Sequence, residues 1–113
     1  MNVIQILEQG RDRIAKGWCQ LHEAKDEKGN PCAPDSIQAV RWCAVGAIKN
    51  YLWPRASFQA QYLLNQAAGM DIAGYNDSST QEAVLNVFSF AIERIKQQGK
   101  PPQKLEISEK VYA

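Results

Sequence analysis

Few side chains in this chain could carry chemistry. Cys19-x-x-His22, followed by Cys32 and Cys43, offers four sulfur and nitrogen donors of the kind zinc takes in tetrahedral sites. The intervals after His22, nine and ten residues, match no standard zinc spacing, and Cys43 lies in an apolar stretch. Reduced cysteines packed as small hydrophobes are the plainer reading. A thiol enzyme needs a base beside its sulfur, and His22 is the one histidine. On an extended segment residues 19 and 22 face opposite sides, so that pair does not meet directly. No Ser-His-Asp set with motif support, glycine-rich phosphate loop or Walker pattern is present. No reaction, metal or cofactor is therefore expected.

Binding is better provided for. From Ser36 to Met70 there is no Asp or Glu, while Arg41, Lys49 and Arg55 contribute three positive charges. Trp42, Tyr51, Trp53, Phe58 and Tyr62 are interleaved with them. Cations among aromatics suit an anionic planar ligand such as a nucleotide, by charge and stacking. In the plainer reading the rings are core and the cations solvated, since three charges make a small nucleic-acid footprint. Asn76-Asp77 also has two readings. Both side chains can bond local amides before a helix start, where negative charge is favourable. Alternatively they face a ligand in a pocket with Trp18 or Trp42 as a wall.

The elements that must position these residues are mainly helical. Asn2 and Gln5 form a capping-box pattern, and Ile4, Leu7, Arg11, Ile14 and Trp18 recur at helical spacing. This predicts a helix over 2–16, stopped by Gly17 in the left-handed region. Residues 18–24 alternate at short period and run into the polar turn 25–31, which predicts a small hairpin over residues 18–33. Pro34-Asp35-Ser36 opens a second helix with a wide apolar stripe, Ile37, Val40, Ala44, Ala47, Ile48 and Tyr51, ending at Trp53-Pro54. Phe58, Tyr62 and Leu63 carry a third helix toward Gly69, and Met70–Asp77 reads as a loop. Ser79 answered by Glu82 caps a last helix to about Gln97. The fold class expected is mainly α: about four helices around one core, the hairpin, and a C-terminal edge strand as an option.

At 113 residues one domain is expected, with residues 1–98 compact and 99–113 a C-terminal tail, extended or partly disordered. A net charge of +1 excludes a strongly basic nucleic-acid coat and an acidic nucleic-acid mimic. No apolar run approaches the ~20 residues that span a bilayer, and the N-terminus lacks a secretory layout. The expectation is a cytoplasmic chain without membrane contact. The odd number of cysteines, three, argues against a disulfide scaffold.

Gly17-Trp18-Cys19-Gln20, then Trp42-Cys43-Ala44-Val45-Gly46-Ala47-Ile48, then Tyr75-Asn76-Asp77 stand in an order that resembles the small bacterial and phage proteins grouped as domain of unknown function 6197. The likeness covers roughly residues 3–96. Two features depart from the pattern: Tyr75 stands where tryptophan is commoner, and Ser78-Ser79-Thr80 follows where a basic residue often does. His22 and Cys32 stand outside that pattern. The resemblance implies a fold and a bacterial or phage setting, and brings no activity with it.

The leading functional expectation is a non-enzymatic binding or regulatory module, of the kind phages and mobile elements carry. It engages a protein partner or an anionic, nucleotide-like ligand through Trp18, Arg41, Trp42, Lys49, Trp53, Arg55, Asn76 and Asp77. A homodimer through an apolar face or the tail strand is a further option. The competing expectation is a small thiol- or zinc-dependent domain centred on Cys19, His22, Cys43 and Asp77.

Overall fold

The computed structural model describes residues 1–98; the edge strand considered for the tail lies outside the described residues. Five helices and a two-strand antiparallel ribbon make up the described fold, which is mainly helical as expected. Helix α1, Val3–Lys16, opens with the anticipated capping box: Asn2 Oδ1 accepts from Gln5 N, and Gln5 Oε1 accepts from Asn2 N, both at 2.9 Å. Its buried face is Ile6, Leu7, Gly10 and Ile14, one residue round from the stripe expected at Ile4. It packs against α3, Pro54–Ala68, and α5, Gln81–Gln98, and the three enclose a core that includes Leu64, Val84, Phe88 and Ile92. Helix α3 starts on Pro54 and stops at Gly69, which has φ 73°, both as the sequence predicts.

Five local expectations are corrected. The wide helix expected from Ser36 to Tyr51 is reduced to α2, Ala44–Ala47. Residues 40–43 instead spend their backbone groups on two neighbours. Val40 N donates to Lys25 O and Cys43 N to Glu23 O, while Trp42 N donates to Gly17 O and Cys19 N to Trp42 O. Strand β1, Ala24–Lys25, accordingly pairs with β2, Arg41–Trp42, so the ribbon's return strand lies beyond residue 33. The polar turn is where it was expected, held by Asp26 Oδ1 accepting from Lys28 N and Asn30 N. Its immediate return is one bridge, Lys25 to Pro31. Periodicity loses here because a helix cannot form from amides already bonded across the fold, and Ile37 of the expected stripe is fully exposed.

Gly17 ends α1 with φ −174°, an extended angle open to any residue. Glycine is required there by space, since a Cβ would run into the Val40 carbonyl oxygen. The expected loop at 70–77 contains helix α4, Ile72–Ser78, whose first N–H is taken by Asn65 Oδ1 at 2.8 Å. Helix α5 is capped by Thr80, whose Oγ1 accepts from Ala83 N at 3.2 Å, one residue later than the Ser79 box. None of the described helices is long and apolar enough to cross a membrane.

Candidate functional site

The eight residues singled out by sequence do not converge on one pocket; they fall into three groups. The first surrounds Asn76, a buried polar residue on α4 with no exposed surface. Its Oδ1 accepts from Trp18 Nε1 at 2.8 Å and from Ala44 N at 2.9 Å. Its Nδ2 donates to Cys19 O at 3.1 Å and to Asp77 Oδ1 at 3.2 Å. An amide has two donors and two acceptor sites, and all four are used. Asn76 thus joins α4 to the start of α2 and to the segment after α1, with nothing left for a ligand. Asp77 is exposed, and its Oδ1 also accepts from Leu21 N at 2.9 Å. Leu21 has φ 72°, a left-handed angle that a bulky residue rarely adopts, and the Asp77 bond helps hold it. These partners are long-range, whereas the sequence suggested a local helix-start turn.

The second group lies on the ribbon. Trp42 donates from Nε1 to Pro34 O at 2.9 Å, and the Arg13 guanidinium stands 5.7 Å from its ring centroid. Arg41 is exposed and donates to Asp26 O at 3.2 Å, which ties it to the polar turn and away from α3. Both tryptophans flank the core, so the reading of Trp18 and Trp42 as walls of a ligand pocket loses its geometry.

Lys49, Trp53 and Arg55 form the third group, at the corner between α2 and α3. Lys49 pairs with Glu23 at 3.3 Å, the one ion pair among the described residues. The corner is tightly braced. Asn50 N donates to Ser57 Oγ at 3.0 Å, Asn50 Oδ1 accepts from Leu52 N at 3.1 Å, and Asn50 O accepts from Trp53 N at 3.0 Å. Beneath it Arg13 Nη1 donates to Ala47 O and Lys49 O at 3.3 and 3.2 Å, and Gln9 Nε2 reaches the same two carbonyls. Burial lowers the Arg13 pKa, an effect that Asp35 partly offsets. The guanidinium replaces the missing partners of the carbonyls that end α2.

The bracing presents Tyr51, Leu52 and Trp53 to solvent, and on the outer face of α3 Phe58 shares one hollow with Tyr51 and another with Tyr62. These five side chains are 59%, 84%, 47%, 76% and 57% exposed in chain order. Phe58 is the shared wall of two hollows. One, about 220 Å³, is lined by Val45, Ile48, Tyr51, Pro54 and Gln61 among others. The second, about 510 Å³, includes Val3, Tyr62, Leu63 and Ile95. In the plainer of the two sequence readings these rings were core; the signal against it is the α3 pattern itself, where Ala56, Ala60 and Leu64 recur every four residues and take the inner face.

The thiol constellation does not assemble. Among the described residues no three of His, Cys, Asp and Glu are grouped to hold a metal ion. His22 is exposed, and Cys19 Sγ donates to the His22 carbonyl, not its ring. Burial, then the neighbouring Cys43, pushes the Cys19 thiol up to about 11. Cys43 is likewise raised, chiefly by burial, while its sulfur accepts from Gly46 N at 3.4 Å and so caps α2. Protonated thiols of this kind are poor nucleophiles.

No curated protein and no solved structure matches the chain. A family model does, over residues 1–94, which takes in α1 through most of α5, the Asn76 hub and the aromatic corner. The chain belongs to the family of unknown function DUF6197.

Proposed function

We propose that this chain is a non-enzymatic protein-interaction module of the bacterial or phage cytoplasm, and that its contact surface is the outer face of α3 with the corner before it. The observation that carries the reading is the run of exposed rings Tyr51, Trp53, Phe58 and Tyr62 on a hydrogen-bonded scaffold. Interface cores are rich in aromatics and poor in charge, and rigid anchors lose little entropy on binding. Scattered exposed apolar residues are ordinary, whereas a contiguous cluster marks a contact site. The anionic-ligand reading is less well served, since Lys49 is paired with Glu23 and Arg41 is held at Asp26.

A photo-crosslinking residue at Trp53 or Tyr62 tests this, with the same residue at Lys28 on the polar turn as control. The expected outcome is protein adducts from the first two positions and none from the third, with no binding of ATP detected by calorimetry. Micromolar ATP binding that is lost on Arg55→Ala or Lys49→Ala would replace it with the anionic-ligand function.

A further inference from the structure

We infer that the partner for this face is a second copy of the chain, joined by a two-fold axis that places each Phe58 in the other copy's hollow between Tyr51, Pro54 and Gln61. This rests on the interaction surface proposed above and specifies its occupant. Three observations on the face support the assignment.

The first is charge. From Ala56 to Met70 no residue is ionisable as acid or base apart from the tyrosine hydroxyl, and Lys49, which lines the hollow, is paired with Glu23, so two copies of the face oppose few like charges. Arg55 lies at its edge. The polar residues here are Ser57 and the amides Gln59, Gln61 and Gln66, while Asn65 is engaged at the start of α4. An amide carries donors and an acceptor together, so identical amide rims can satisfy one another. A charged rim would need a partner of opposite sign.

The second is shape. A two-fold interface uses one patch twice, so it must present a projection and its matching recess side by side. Phe58, 76% exposed, is the projection, and the adjoining hollow of about 220 Å³ is the recess. A cavity of ~150 Å³ is enough to hold a benzene ring. The knob and hole are both on this face, 180° rotation pairs them reciprocally, and each ring inserts once.

Area is the third. Taking ~200 Å² for a fully presented aromatic side chain, the four rings expose on the order of 500 Å². Leu52 and the amide rim extend this toward the ~800 Å² that each partner brings to a standard stable interface. A foreign partner would have to match the same contour; in a second copy the Phe58 ring and the adjoining hollow supply that match.

Sedimentation equilibrium on the full chain, from about 1 to 200 µM, tests the assignment, with circular dichroism to verify folding of each variant. The wild-type mass is expected to rise from 12.7 kDa toward twice that value. Phe58→Ala is expected to raise the dimer dissociation constant at least tenfold, and Phe58→Arg, which sets like charges across the axis, to give monomer throughout. Lys28→Glu on the polar turn is expected to leave it unchanged. A wild-type chain that is monomeric at every concentration overturns the second copy as occupant, as does a dimer indifferent to both Phe58 variants. In the monomeric case, crosslinks from Trp53 and Tyr62 to a foreign protein would leave the interaction surface standing, and their absence would remove both.

Discussion

At the residue scale, Asn76 is the position on which most depends. It is one uncharged side chain, yet two distant segments hang from three of its four bonds. Truncation to alanine strips an acceptor from the Trp18 indole and the Ala44 amide, and a donor from the Cys19 carbonyl. A buried polar group left unpaired costs about 1–3 kcal/mol. Asn76→Ala is therefore expected to destabilise by about 3–5 kcal/mol in urea denaturation. Asp77→Ala, which loses bonds at an exposed carboxylate, is expected to cost about 1 kcal/mol. Equal costs for the two would contradict the hub. In sequence the pair Asn76-Asp77 was conspicuous, but its local reading came from adjacency. Nothing in a linear pattern reveals that the partners are 58 and 32 residues away.

Helices α1, α3 and α5 were legible as elements because each has what it needs within its own stretch: a cap or proline at the start and apolar residues at helical spacing. Helix α2 and the ribbon were not. Trp42, Cys43 and Val45 look helical in sequence, but the backbone before Ala44 is shared between the segments at 17–19 and 23–25. Gly46 shows how close that approach is, because a Cβ there would run into the Glu23 carbonyl oxygen and backbone. In an isolated helix Gly46→Ala would gain about 1 kcal/mol from propensity. Here the direction is expected to reverse, with a loss of about 2–4 kcal/mol, in the range of overpacked cores and a broken strand contact. Thermal denaturation of the variant decides it; a stabilised protein would show that α2 and the ribbon are less closely apposed than described. The same principle explains α4, which is too short to signal itself and is started by Asn65 of the preceding helix.

For the whole molecule, the thiols make stability depend on pH in one direction. Cys19 titrates near 9 when unperturbed and at about 11 in the fold, and Cys32 and Cys43 are also raised. The folded state therefore keeps protons that the unfolded state gives up, and this contribution is fully present below about 9. It is lost as pH rises from there through about 11. Denaturation midpoints are expected to fall over that window, and Cys19→Ala to flatten the fall. An unchanged slope in the variant would show that Cys19 is not held protonated by the fold.

Composition, spacing and caps were enough for a small, mainly helical domain and the positions of its three long helices. Those properties arise within short stretches, from side-chain period and local hydrogen bonding. The fate of the singled-out residues was settled between stretches. Sequence offered two candidate sites, a pocket of Asn76 and Asp77 walled by Trp18 or Trp42, and the cationic corner from Lys49 to Arg55 with its aromatics. Packing turns Asn76 into a buried hub bonded to the half-buried Trp18 and leaves Lys49, Trp53 and Arg55 at a separate corner. The rings of α3 face outward because Ala56, Ala60 and Leu64 occupy the side that meets α1 and α5. A helix has one inner face, and which apolar stripe wins it depends on what its neighbours can accommodate.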